Sequence, residues 1–338
     1  MNKTGWIGID VAKHTFQAAV ADQTAIPRQW ASLPTAQFEH SAKGVGQFVR
    51  WLRDMGWTKR NVAGICIEAT GRYTQQWVEL LRRPLAPVCV VNPARPKAYG
   101  QSLGIRDKSD RVDACVIALY AKATQPDPTP ADSCVQRELR ELSRLHRALE
   151  KQCQANQRRL DDGPSSAFTR ATLKKTIVAL LRQIRRVEQA MERVIRNDEN
   201  LSKDFKRAKT VKGIGAKTAT LILAEFGDLR QYNRDEVVAL AGLFPREYTS
   251  GTSVHKKSRL AKAGKASVRA ALYMCAMSAI QANANLRQFA KRLEENRKEP
   301  MQVIAAVMRK LLLLVRAVVV SETDYDPNYA NKLQSQPA

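Results

Sequence analysis

Hydrophobic and polar positions in residues 1–123 switch repeatedly between a period of two and a helical period. Trp6–Val11 is apolar and β-branched, and Phe16–Val20 follows after a short turn, which predicts a strand hairpin. Val45, Phe48, Val49 and Leu52 recur at helical spacing. Val62–Ile67 reads as a buried strand that ends in Glu68, and Trp77, Leu80 and Leu81 mark another helix. Val88–Val91 is a further strand, closed by Asn92-Pro93, and a helix is expected from about Ser109 to Ala123. Strand and helix signals alternating in this way predict an α/β domain with a mixed sheet over 1–123.

The pattern then changes. The segment 124–133, TQPDPTPADS, holds three prolines in ten residues and reads as a linker. Two long helices are predicted over 134–200. The first carries Leu142, Leu145, Leu149, Cys153, Asn156 and Leu160 on one stripe, and Asp161-Asp162-Gly163-Pro164 breaks it. The second carries an unbroken heptad of Leu173, Ile177, Leu180, Ile184, Val187, Met191 and Val194. This is a coiled-coil helical hairpin, closed within one chain or zipped between two. Its outward Lys174, Lys175, Arg182, Arg185 and Arg186 make a basic face suited to a phosphate backbone. A mostly α region follows over 201–325, and a polar tail over 326–338. Met301 to Val320 is apolar but carries Arg309, Lys310 and Arg316, so it reads as a packed helix and not a membrane span.

Charge narrows the function. Lys and Arg number 56 against 32 Asp and Glu, a net charge of +24. Residues 1–125 hold +8 of it and the remainder +16. A surplus of this size points to a polyanionic partner, because Lys and Arg displace condensed counterions from phosphates. The six cysteines form no C-x-x-C pair, and His14, His40, His146 and His255 fall at no metal-ligand spacing, so no zinc site is expected. Cys66, Cys89 and Cys115 lie in apolar runs and read as reduced core residues of a cytosolic protein. The first residues do not form a signal peptide, since an acid arrives at position 10 and no apolar stretch follows.

Four acids stand out. Asp10 ends the first strand and Glu68 a later one, while Asp110 and Asp113 share a helix face three residues apart. Each alone has a plain structural use: Asp10 suits a turn cap, Glu68 a pair with Arg72, and Asp110 a helix cap. Converging, they would repel unless cations sat between them. Mg2+ takes oxygen ligands and keeps waters for phosphate, and two such ions suit phosphoryl transfer. The order strand-Asp, strand-Glu, helix-Asp-x-x-Asp matches a RuvC-like, ribonuclease H-like nuclease.

The stretches GIDVAK, EATGRY and KSDRVDA resemble the N-terminal domain of the Piv-type, DEDD transposases of the insertion-sequence one-ten family, which is associated with bridge-RNA-guided recombination. The resemblance spans nearly the whole chain. It implies that Asp10, Glu68, Asp110 and Asp113 are metal ligands and catalytic residues. Asp107 precedes the core of the third motif and ranks as a supporting or surface residue. Ser109 stands where many members carry Thr.

In the second half, residues 210–219 read Thr-Val-Lys-Gly-Ile-Gly-Ala-Lys-Thr-Ala, a helix-hairpin-helix signature. Gly213 and Gly215 permit the turn, and Lys212 and Lys217 flank a helix start whose N–H groups suit phosphate. Between Pro245 and Ala270 there are seven basic residues and one acid, Glu247, interleaved with serines and threonines. This region reads as a basic loop and resembles the second, transposase domain of the family, where a P-x-x-x-x-S-G element precedes the basic loop. The resemblance implies that Ser250, followed by Gly251, is the nucleophile and forms a phosphoserine link to DNA. Ser253 is the rival serine. Lys256, Lys257 and Arg259 would neutralise the phosphate under attack.

The leading expectation is a DNA transposase or recombinase that joins donor and target DNA by metal-assisted, serine-mediated phosphoryl transfer. The resemblance implies a structured noncoding RNA as its guide, and the expected working form is a homodimer or homotetramer, with no membrane partner and a bacterial cytoplasmic, nucleoid-associated location. A RuvC-like junction endonuclease that uses water, and a non-catalytic nucleic-acid scaffold, are the alternatives.

Overall fold

The alternation of the first strand is the starting point of the fold seen in a computed structural model, which describes residues 4–69, 78, 80–81, 86–130, 132–250, 254–261 and 263–328. The chain divides into two compact units, Met1–Ala131 and Asp132–Ala338.

In the first unit, β1 (Gly5–Val11) pairs antiparallel with β2 (Thr15–Asp22), and β2 pairs antiparallel with β3 (Thr35–Glu39). On its other side β1 pairs parallel with β4 (Val62–Glu68), which pairs parallel with β5 (Val88–Val91). The sheet order β3-β2-β1-β4-β5 is compatible with a RuvC-like domain. Side chains alternate across this sheet. Ile7, Ile9, Phe16, Ala18, Val20, Ile65 and Ile67 face one core, closed by Val45, Phe48, Val49 and Leu52 of α1 (Ala42–Asp54). Ser41 caps α1 by accepting a hydrogen bond from Gly44 N–H. The helix expected around Trp77, Leu80 and Leu81 lies largely outside the described residues.

The opposite face is built from small residues. Ala19 and Ala21 pack against Ala114, Cys115, Ala118 and Leu119 of α3 (Asp110–Thr124), and Cys66 packs with Ile117, Tyr120 and Ala121. At the centre stands Gly8. A Cβ there would lie 2.2 Å from the backbone nitrogen of Ala118 and 2.4 Å from the carbonyl oxygen of Ala114. The helix therefore rests on bare backbone. A polar helix, α2 (Ala94–Ser102), lies between β5 and α3 in sequence and was not anticipated; nor was β3. The proline-rich segment is not a free tether, because Thr129 N–H donates to Val88 O and Thr129 Oγ1 accepts from Val90 N–H at the sheet edge.

The second unit opens with α4 (Cys134–Asp161) and α5 (Ala167–Asn197), packed along one another as an intramolecular hairpin. Ile177, Ile184, Val187 and Met191 of the heptad are buried. On α4 the expected stripe is displaced: Leu145 is 47% exposed and His146 turns inward instead. The reason is electrostatic, since His146 has a carboxylate on each ring nitrogen, Glu150 at 3.4 Å and Glu188 at 3.1 Å. Next come α6 (Glu199–Thr210), α7 (Ala216–Phe226), α8 (Arg234–Ala241), the hairpin β6 (Pro245–Ser250) and β7 (Val254–Leu260), α9 (Ala266–Ala282), α10 (Ala284–Glu295) and α11 (Pro300–Val320). One apolar core joins these helices, with Val307, Leu311, Leu312, Val315 and Val319 of α11 at its centre. Among the described residues no helix is long and apolar enough to cross a membrane. Two side chains of α4 complete the end of α7: Gln136 donates to Leu223 O and Ala224 O, and Arg140 Nε donates to Ala224 O. They satisfy last-turn carbonyls that a helix cannot bond internally.

Replacing Gly8 by Ala forces backbone against backbone. The substitution should cost about 1–3 kcal/mol, the range of overpacked cores. Urea unfolding of Gly8→Ala checks this, and an unchanged midpoint would show that α3 does not rest on the strand as described.

Candidate active site

The site starts from strand register. Ile9 of β1 lies opposite Ile67 of β4, so Asp10 and Glu68 follow next on neighbouring parallel strands. Alternation puts Asp10 on the face of Gly8 and Glu68 on the face of Cys66, and both of those residues meet α3. Asp110 and Asp113 occupy the first turn of that helix, one turn before the Ala114–Ala118 stretch seated on Gly8. The capping role open to Asp110 is taken by Ser109, whose hydroxyl accepts from Val112 N–H at 3.3 Å. Asp110 is exposed. Asp107 precedes the helix and is exposed. Arg72, with the rest of EATGRY beyond Ala69, lies outside the described residues.

These carboxylates feel one another. Burial, then Asp113 and Asp110, push the Asp10 carboxyl up to about 6. Burial, then Asp10 and Asp113, push Glu68 up to about 7. Asp113 is raised by burial foremost; Lys108 pulls it back and Asp110 adds to the rise. The group thus shares one electrostatic environment, with the positive end of the α3 dipole beside it. Among the described residues no three His, Cys, Asp or Glu side chains stand closely enough to hold a metal ion. Their oxygen-only chemistry fits a hard divalent cation such as Mg2+.

The second unit carries the other predicted residues. Gly213 makes the turn between α6 and α7 at φ 105°, and a Cβ there would fall 2.5 Å from that of Ala279 on α9. Gly215 has an ordinary φ of −84° as the residue before α7, so the turn needs only Gly213. Lys212 is exposed with no ion pair among the described residues. Lys217 is already engaged, 3.1 Å from Glu150 and 3.2 Å from Glu188. The expected basic loop is in part a strand hairpin. Ser250 ends β6 opposite Val254, while Lys256, Lys257 and Arg259 lie within β7. Backbone pairing of Thr249 with His255 and Tyr248 with Lys256 holds the register in spite of the charge run. Gly251 and Ser253 fall outside the described residues.

Sequence reading missed the anchor at the base of this hairpin. Glu225 of α7 is buried and meets Arg147 at 2.8 Å and Lys265 at 3.3 Å. Lys265 N–H donates to Leu240 O, and Gly264 leaves no room for a Cβ against that carbonyl. An acid inside the apolar run of α7 was the available signal, since a buried carboxylate needs a cation.

The raised carboxyls set a sign. In the unfolded chain Asp and Glu titrate near 3.9 and 4.3, so between about pH 4 and 7 the folded state binds more protons. Their contribution to stability is therefore largest in acid and is lost as pH rises through 6 and 7. Asp10→Asn should melt higher than the unsubstituted chain at pH 8 in chelator, with the gap closing toward pH 4. A lower melting temperature at pH 8 would mean that the carboxylate is held by partners and not repelled.

The DEDD transposase model of the IS110 type matches residues 7–163, and a second model, described as transposase of the IS116/IS110/IS902 family, matches residues 206–291. The pilin gene-inverting protein of Moraxella bovis is 29% identical over 330 residues, covering 96% of this chain and 98% of that protein. Its counterpart from Moraxella lacunata is 29% identical over 329 residues, with the same coverage. The DEDD type implies use of a divalent metal, typically Mg2+. With a strand-end pair of acids facing the first turn of an acidic helix, and both halves of the chain matched, the protein belongs to the IS110-type transposases, which are DNA recombination enzymes.

Proposed function

We propose that this chain cleaves and rejoins DNA by phosphoryl transfer, with Asp10, Glu68, Asp110 and Asp113 holding two Mg2+ ions and Ser250 as nucleophile. The observation that carries the reading is the set of mutually repelling carboxyls on one face of the first unit. Bound there, the ions would polarise the phosphate and offset its developing charge. Ser250 Oγ attacks phosphorus as one P–O bond of the DNA backbone breaks, and the departing strand leaves with a hydroxyl. The proton given up by serine ends on that leaving oxygen. A hydroxyl from the strand to be joined later attacks the phosphoserine, restoring the serine and one DNA ester. Each step exchanges one phosphate ester for another, so no nucleotide hydrolysis is needed.

Support for Ser250 is its place as the last residue of β6 within the second matched segment. Lys212, Gly213, Gly215 and Lys217 are proposed to meet backbone phosphate in a helix-hairpin-helix, with Lys217 exchanging its carboxylate partners for phosphate. Lys256, Lys257 and Arg259 are proposed to neutralise the phosphate under attack. The exposed Lys174, Lys175, Arg182, Arg185 and Arg186 of α5 make no ion pair among the described residues and offer a track for a structured guide RNA. The acting form is a dimer or tetramer, since two DNAs must be joined.

Trapping on a denaturing gel tests the chemistry. Ser250→Ala should abolish the covalent protein–DNA adduct while Ser253→Ala retains it, and Asp110→Asn should lose strand cleavage but keep DNA binding. An adduct that survives Ser250→Ala and disappears with Ser253→Ala moves the nucleophile to Ser253. Cleaved ends that never carry protein assign the attack to water.

A further inference from the structure

The last two helices carry a second unresolved charge problem, opposite in sign to the first. Between positions 284 and 320 there are eight basic residues and three acids. Several cations of the region have a local use: Lys291 pairs with Glu295 at 4.0 Å, Arg309 with Asp235 at 3.7 Å, and Arg287 donates to the carbonyl of Ile280. Arg292 and Lys310 do not share this pattern. Both are drawn to one aromatic ring, Phe289, with Lys310 Nζ at 4.2 Å and Arg292 Cζ at 5.6 Å from its centroid. Neither makes an ion pair among the described residues, and Lys310 is half-buried. Its ammonium is pushed below the ordinary lysine value by burial and then by Arg292, with no carboxylate acting against them.

The ring attracts each cation through its electron-rich face and fixes where two flexible side chains end. It does nothing for their mutual repulsion. Two like charges held together, one of them partly out of water, form a ready place for an anion that neutralises both. The anion available to a DNA recombinase in quantity is the backbone phosphate.

We infer that Arg292 and Lys310, gathered on Phe289, form a binding point for backbone phosphate of duplex DNA on α10 and α11, separate from the helix-hairpin-helix and from the β6–β7 hairpin. Contacts to phosphate position a duplex without reading its sequence, so this point serves every DNA the enzyme holds.

Fluorescence anisotropy with a random-sequence duplex of about 40 base pairs, titrated at several salt concentrations, tests the inference. Each phosphate contact contributes about 0.9 to the slope of log affinity against log salt, so Arg292→Gln with Lys310→Gln should flatten it by up to about 1.8. Lys203→Gln, which removes an exposed lysine paired with Glu199, is the control and should leave the slope unchanged. The melting temperature of the free double variant should hold or rise, because a repulsive pair is gone. An unchanged slope with a lowered melting temperature would overturn the inference and make the trio a structural clamp. So would a flattening no greater than that of the Lys203→Gln control. The serine and carboxylate chemistry is read by adduct formation and not by this slope, so either can fail without the other.

Discussion

Helix α3 lies directly on the backbone of β1 because position 8 has no side chain, and the geometry of the acidic site follows from that contact. Alanines at 19, 21, 114 and 118 extend the close approach on either side. A bulkier layer would lift the helix and carry its first turn, with Asp110 and Asp113, away from the strand ends. The parallel pairing of β1 with β4 supplies the other half, since it sets Asp10 and Glu68 at the same level of the sheet. Two local rules, small residues under a helix and parallel register, thus assemble acids from positions more than a hundred residues apart.

The assembled charges oppose folding. Asp10 and Glu68 are held partly out of water beside other carboxylates, and both resist ionisation. A structural role would instead pair them with cations, as the second unit does for Asp204 with Arg230 and Arg207, or for Glu225 with Arg147 and Lys265. Within one chain, acids that pair with cations thus stand apart from acids that repel one another, the pattern on which the proposed chemical role rests. Arg292 and Lys310 show the same pattern with the sign reversed, like charges gathered with no counter-charge among the described residues.

Much of the first unit was legible because burial on both sheet faces leaves clear apolar runs. β1, β2, β4, β5, α1 and α3 each carry such a signal, and the acids stand where those runs end. The misses have physical causes. β3 is short and at the sheet edge, with only partial burial, and α2 carries no apolar stripe, since its buried residues are Pro96 and Gly100. In the second unit the charge run over 254–260 masks a strand, whose backbone pairs with β6. Leu145 and His146 exchange roles since a histidine between two carboxylates can be buried where the stripe would place a leucine. Gln136 and Arg140 are polar residues of α4 that carry no apolar signal, yet they are buried because α7 offers them unpaired carbonyls. Such contacts link residues more than eighty positions apart and leave no periodic trace.

The central claim is that the face shared by Asp10, Glu68, Asp110 and Asp113 exists to hold divalent cations. Mn2+ reports it most directly, because the free ion gives a sharp electron paramagnetic resonance signal that vanishes on binding. Titration of the full chain near neutral pH should show tight uptake of about two ions per chain, as expected for a paired-metal site. Asp113→Asn should remove at least one of them while leaving the fold intact by circular dichroism. Uptake that is absent, or that is unchanged by Asp113→Asn, would contradict the account.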